Sequence, residues 1–217
     1  MPNWCDNVMY VDGTNEALEN VRQIFESDEP FAKLKPEPDY DKVVVPFAFP
    51  EIDKLFGDTE PKVAKAGRPN AWYDWRCSEW GTKWEPSNVE CGMETPPFTA
   101  NLEVLGADFQ TAWAPPEGIY EAVSQLPGID AVVAMACDGS QDYIGAMIYK
   151  ANAEPDQRVI KVFFEMDELY RVVKDSDPNQ SEYHKLTHHL HNTFEGHYEM
   201  IGEGRYADEE NGGNEDE

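Results

Sequence analysis

The nine residues from Ile129 to Cys137 constrain the fold more than any others: they read Ile-Asp-Ala-Val-Val-Ala-Met-Ala-Cys, apolar everywhere but Asp130. A short run of β-branched and small apolar residues is the pattern of a strand buried inside a sheet. It falls far short of the roughly 20 apolar residues that a membrane-spanning helix needs, and no other run approaches that length. The chain must therefore supply strands to flank this one and helices to cover it.

Candidates for both are present. Asn7–Val11 is short and β-rich and ends at Asp12-Gly13. Thr14 is then a plausible N-cap for an amphipathic helix over about 15–26, with Leu18, Val21, Ile24 and Phe25 at helical spacing. Ala17 occupies the place where a capping box would need Glu or Gln. Asp28-Glu29-Pro30 cannot continue that helix. Leu102–Leu105 and Asp108–Trp113 read as strand, and Pro115-Pro116 opens a helix carrying Ile119, Ala122, Val123 and Leu126. Pro127-Gly128 closes it. Tyr143–Tyr149 and Arg158–Phe164 read as two further strands, joined by a polar loop containing Pro155. A last helix is expected over about 179–194, after Asp175-Ser176-Asp177-Pro178.

Residues 30–100 hold most of the prolines and four of the six tryptophans, Trp72, Trp75, Trp80 and Trp84. Val43–Pro50 is an apolar run broken by two prolines, which suits an edge or a packed loop better than a central strand. The aromatic stretch from Ala71 to Trp84 reads as a secondary core that pins a long insertion. A stacking surface for a ligand is the alternative, although base-stacking sites come with basic grooves and this stretch has acids. The order β, α, insertion, β, α, β, β, β, α predicts an α+β sandwich, with helices on one face of a mainly antiparallel sheet.

Charge limits the partners. The chain of 217 residues carries 43 Asp and Glu against 17 Lys and Arg, a net charge of -26 with a pI near 4.3. Such a body repels nucleic-acid phosphates and anionic lipid surfaces, so neither a nucleic acid nor a membrane is an expected partner. With 41% hydrophobic and 12% aromatic residues it is too apolar for global disorder. Residues 207–217 hold six acids and no bases and read as a disordered acidic tail. Without that tail, 37 acids still face 17 bases, and residues 165–217 are the most acidic region, with 15 acids against four bases. The N-terminus lacks the basic and apolar regions of a signal peptide, and Cys5, Cys77, Cys91 and Cys137 form no C-x-x-C pair. Reduced thiols and a cytoplasmic location are expected, with no iron–sulfur cluster.

Three phrases occur in order: Met1-Pro2-Asn3-Trp4-Cys5-Asp6-Asn7, Trp80-Gly81-Thr82-Lys83-Trp84, and Phe109-Gln110-Thr111-Ala112-Trp113-Ala114-Pro115-Pro116. In these the chain resembles the YubB-type ferredoxin-like domain family of phage and plasmid proteins. The resemblance covers roughly residues 1–165 and departs after Cys137. There the family tends to carry a Tyr-rich strand with Glu-x-Gly, where this chain has Cys137-Asp138-Gly139-Ser140. It implies a ferredoxin-like sandwich over 1–165, within which residues 30–100 read as an insertion; the segment over 166–206, with its helix, looks like an addition to the family domain. It also implies a gene of mobile elements expressed inside a bacterial cell. It carries over no activity, and fold alone does not supply one. Trp4, Trp80, Gly81, Thr82, Lys83, Trp84, Thr111, Trp113, Pro115 and Pro116 are its motif residues, and packing is the plain reading of them.

No nucleophile elbow, S-x-x-K or phosphate loop is present, so no catalytic residue and no cofactor are expected. All five histidines lie between His184 and His197; on a helix His184, His188 and His191 would share one face, as metal ligands or as a solvated polar face. The charge admits a different role. At one phosphate per roughly 1.7 Å of duplex axis, 26 charges match about 44 Å of DNA. An acidic surface drawn from Glu165, Asp167, Glu168, Asp175, Asp177, Glu182, Glu195 and Glu199 could then occupy the basic groove of a host nucleic-acid-binding or defence protein. The competing readings are an interaction or structural module whose acidity serves solubility, and a metal-dependent activity at the histidine helix.

Overall fold

The computed structural model describes residues 3–48, 65–96, 103–138, 143–151 and 159–165. The elements run β1 (Trp4–Gly13), α1 (Asn15–Phe25), α2 (Pro30–Leu34), α3 (Ala71–Glu79), β2 (Ser87–Glu94), β3 (Val104–Ala112), α4 (Glu117–Ser124), β4 (Ile129–Asp138), β5 (Tyr143–Lys150) and β6 (Val159–Glu165). The six strands form one sheet in the order β2-β3-β1-β4-β5-β6, and every pairing is antiparallel. Strands β1 to β4 with α1 and α4 make the β-α-β-β-α-β arrangement of a ferredoxin-like sandwich; β5 and β6 extend it beyond β4. This is an α+β fold with its helices on one face.

The run that opened the sequence reading is β4, the third strand from the β6 edge, paired with β1 on one side and β5 on the other. Its apolar residues divide by parity. Val132, Ala134 and Ala136 face the helices with Met9 and Val11 of β1, Leu105, Ala107 and Phe109 of β3, and Met147 and Tyr149 of β5. Leu18, Val21 and Phe25 of α1, and Ile119, Tyr120 and Val123 of α4, close that core from above. Val133 of β4 and Ile148 of β5, on the opposite face, are buried as well.

Thr14 caps α1 as expected, its Oγ1 accepting from the Ala17 amide at 3.3 Å. Three elements depart from the sequence reading. Strand β1 is longer than its β-rich centre, because Trp4–Asp6 pair with Ala112–Gln110 and so join the ladder. Pro30 stops α1 but also occupies the first turn of α2, where its missing N–H costs nothing. Strand β3 runs unbroken through Gly106-Ala107, between the two segments whose pattern reads as strand.

Within residues 30–100, the described segments contribute to the main fold directly. Strand β2 forms one edge of the sheet, and Val89 and Cys91 pack against the common core. Trp80 is a full member of that core and is completely buried. Val43–Ala48 is a loop without regular structure, with Val45 buried. The helix expected over 179–194 and the tail over 207–217 lie outside the described residues.

Candidate interaction site at the tryptophan cluster

The fold brings the three Trp-rich phrases to one place. Trp4 begins β1, Trp80–Trp84 form the loop between α3 and β2, and Thr111–Pro116 form the turn from β3 into α4. The ten motif residues then divide into two groups with opposite roles.

One group builds the frame. Trp80 donates from Nε1 to the Lys35 carbonyl at 2.9 Å, and its ring meets Phe31 edge-on at 5.9 Å. Thr82 and Thr111 are buried hydroxyls: Thr82 donates to the Ala112 carbonyl at 2.9 Å, and Thr111 donates to the Ala114 carbonyl at 2.8 Å. The Trp113 amide donates to the Asn3 carbonyl at 2.9 Å. Pro115 and Pro116 are buried. Gly81 has φ +90°, and a Cβ there would stand 2.7 Å from the Pro115 carbonyl oxygen. At Gly118 of α4 a Cβ would stand 1.8 Å from the Glu79 carbonyl oxygen, so α3 ends against the bare backbone of α4.

The second group is presented outward by that frame. Trp4, Trp84 and Trp113 are 36%, 39% and 47% exposed. The rings of Trp4 and Trp84 are 6.4 Å apart. Lys83 sits between two indoles, its Nζ 3.5 Å from the Trp113 ring centroid and 4.1 Å from that of Trp84. Trp113 itself has φ +75°. A bulky L-residue pays about 1–2 kcal/mol for the left-handed region. Here Thr82, Thr111 and Asn3 clamp the chain on both sides and hold Trp113 in it. Trp113 thus combines an exposed ring with a clamped, left-handed backbone.

The neighbouring charged groups are structural. Arg76 pairs with Glu37 and lies over Trp80 at 4.5 Å and Trp72 at 5.5 Å. The largely buried Arg68–Asp74 pair, at 2.6 Å, ties α3 to the Val45 and Pro46 carbonyls through Arg68. Glu85 accepts from the amides of Phe31 and Ala32 at 2.8 and 3.0 Å, anchoring α2; burial pushes its carboxyl pKa up in spite of these bonds. Burial likewise raises the Cys77 thiol, and raises Cys91 to about 11, so neither is a thiolate nucleophile at neutral pH.

On the sheet face turned away from the helices, Glu90 of β2 stands directly opposite Asp108 of β3. Burial, then the Glu90 charge, raise the Asp108 carboxyl; burial, then Asp108, raise Glu94. Of the acids singled out in the sequence, Glu165 ends β6, paired in register with Tyr143. Asp167, Glu168, Asp175, Asp177, Glu182, Glu195 and Glu199 lie outside the described residues, as do His184, His188 and His191. Among the described residues no three His, Cys, Asp or Glu side chains gather to hold a metal ion, and no helix is long and apolar enough to cross a membrane.

No family model and no curated protein matches the chain. A solved structure, protein api92 from Yersinia pseudotuberculosis, carrying the family model DUF1281, is similar over 75% of this chain and 98% of its own. Its sequence identity is 9% and the TM-score is 0.45.

The sequence displays the motif residues but not their division. All ten motif positions are visible as a Trp-rich pattern; which indoles point inward depends on the turn at Gly81 and the left-handed backbone at Trp113. The Glu90–Asp108 opposition was missed because β2 itself was missed.

Proposed function

We propose that this chain is a non-catalytic binding protein that occupies a basic surface on a nucleic-acid-binding protein, in the manner of a DNA mimic. The observation that carries the reading is the acid excess: without the last eleven residues, 37 acids still face 17 bases. Supporting it, Glu90 and Asp108 are held opposite one another across two strands, an arrangement that is destabilising until a cation relieves it. Long-range attraction of this kind speeds encounter with a basic groove and falls steeply with salt. Given the resemblance to proteins of mobile elements, a host defence enzyme with a DNA-binding groove, in the bacterial cytoplasm, is the fitting target.

The test is capture from bacterial lysate on immobilised full-length chain, followed by elution with double-stranded DNA. A partner released by duplex DNA at constant ionic strength, and lost when salt is raised from 50 to about 300 mM, supports the reading. Retention indifferent to both overturns it. Neutralising Asp167, Glu168, Asp175 and Asp177 to their amides should weaken capture; unchanged capture would remove the C-terminal acids from the interface.

A further inference from the structure

We propose that Trp84 and Trp113 form an aromatic receptor for a cationic side chain of the partner, and that Lys83 is its internal occupant. The proposal rests on the reading of the chain as a ligand for a basic protein and adds where, and by what contact, a lysine or arginine of that protein is held.

The geometry is that of cation recognition. An ammonium within about 6 Å of an indole centroid is attracted by the negative ring face, and tryptophan gives the strongest such contact. Lys83 meets two indoles at once, at 3.5 and 4.1 Å. The receptor is assembled beforehand rather than on binding. Trp113 is fixed at φ +75° by a turn whose buried hydroxyls, Thr82 and Thr111, bond to the carbonyls on either side of it. Such pre-organisation removes much of the ordering cost of association. Both indoles nevertheless remain more than a third exposed, so their outer surfaces are open to a partner, and Trp4 beside Trp84 widens the apolar surface.

Lys83 is well suited to be displaced. It is a flexible four-carbon stem carrying a strongly hydrated charge, so leaving the indoles for water costs it little. An arginine is more weakly hydrated and stacks flat on an aromatic face, which makes it the better occupant. The acid excess of the chain as a whole favours the exchange: an arriving cation adds positive charge to a chain of net charge -26, and Lys83 keeps its own charge as it swings out. The internal lysine thus keeps the receptor filled and selective until a basic surface is pressed against it.

The probe is a short peptide of zero net charge with one arginine, titrated into the full chain in about 150 mM salt, where charges more than roughly 8 Å away are screened. Binding is read by calorimetry. Lys83→Met keeps the stem and removes the competing ammonium, and should tighten the probe about threefold. Trp113→Gly suits the left-handed backbone and so keeps the turn folded, and should abolish binding. Trp72→Phe, at the separate Arg76 contact, should change nothing. A Lys83→Met chain that binds no tighter, or a Trp113→Gly chain of native thermal stability that still binds, overturns the receptor. Duplex-releasable capture that survives Trp113→Gly would leave the DNA-mimic reading standing without it; single-arginine binding by a chain that captures no such partner would do the reverse.

Discussion

The Tyr120 hydroxyl donates a 2.8 Å hydrogen bond to Oδ1 of Asn7, inside the core between α4 and the centre of the sheet. The other end of the Asn7 amide donates to the Cys5 carbonyl and to Thr111 Oγ1, each at 2.9 Å, and to the Phe109 carbonyl at 3.3 Å. Thr111 in turn bonds to Ala114, so this buried network links the core to the turn that carries Trp113. Asn7→Ala should destabilise the protein by about 2–3 kcal/mol, and Tyr120→Phe by about 1 kcal/mol. Urea denaturation of the single and double variants checks this; the double variant should lose less than the sum, since the two changes break a shared bond.

Asp108, opposite Glu90, makes stability depend on pH in a direction opposite to that of a salt-bridged acid. Folding raises the Asp108 carboxyl, so between the ordinary carboxylate range near pH 4 and the raised folded value the native chain holds more protons than the unfolded one. Stability at this site is therefore full below that range and declines as pH rises through it. Glu90→Gln should stabilise the protein at pH 7 by a few tenths of a kcal/mol, about 0.5 at most, because solvent screens the pair. The gain should vanish near pH 3. A gain that persists at pH 3 would assign it to packing instead of charge.

Glu85 holds the first turn of α2 by accepting from two successive amides. Those amides have no helical partner of their own, so Glu85→Ala should cost about 1–2 kcal/mol. Glu85→Gln keeps one acceptor oxygen and should cost about half as much. Phe31 meets Trp80 edge-on from this turn, so near-ultraviolet circular dichroism of the tryptophan band should change in Glu85→Ala before the sheet melts.

Gly118 and Gly92 should respond oppositely to alanine. A Cβ at Gly118 meets the Glu79 carbonyl at 1.8 Å, a backbone atom that cannot move without shifting the end of α3. Gly118→Ala should lower stability by about 2–3 kcal/mol or more. At Gly92, on the edge strand β2, a Cβ meets nothing within 4 Å. Gly92→Ala should be neutral or stabilising by up to about 0.5 kcal/mol. Thermal unfolding of the two variants side by side is sufficient.

Where local pattern and packing agree, the sequence is a good guide. Thr14, the helix at Leu18–Phe25, the Pro115-Pro116 helix start and the buried strand at Ile129 all carry their signal in neighbouring residues. Strand β2 carries an alternation of Val89, Cys91 and Met93 against Glu90, Gly92 and Glu94, but acids and a glycine hide it among prolines and tryptophans. Its strand character comes from pairing with β3, a contact between residues far more visible in space than in order. Trp72, Trp75, Trp80 and Trp84 look alike in sequence, yet Trp80 is fully buried while Trp84 is 39% exposed.

Composition and local order were enough to establish the α+β class, the position of the central strand and the acidity of the chain. These depend on near-neighbour periodicity and on a sum over residues, and neither needs a register. The opposition of Glu90 to Asp108, the division of the tryptophans, and Lys83 held between Trp84 and Trp113 depend on which distant residues are brought together. Strand pairing and one left-handed turn determine that, because a shift of one residue in either would turn every one of these side chains to a different face.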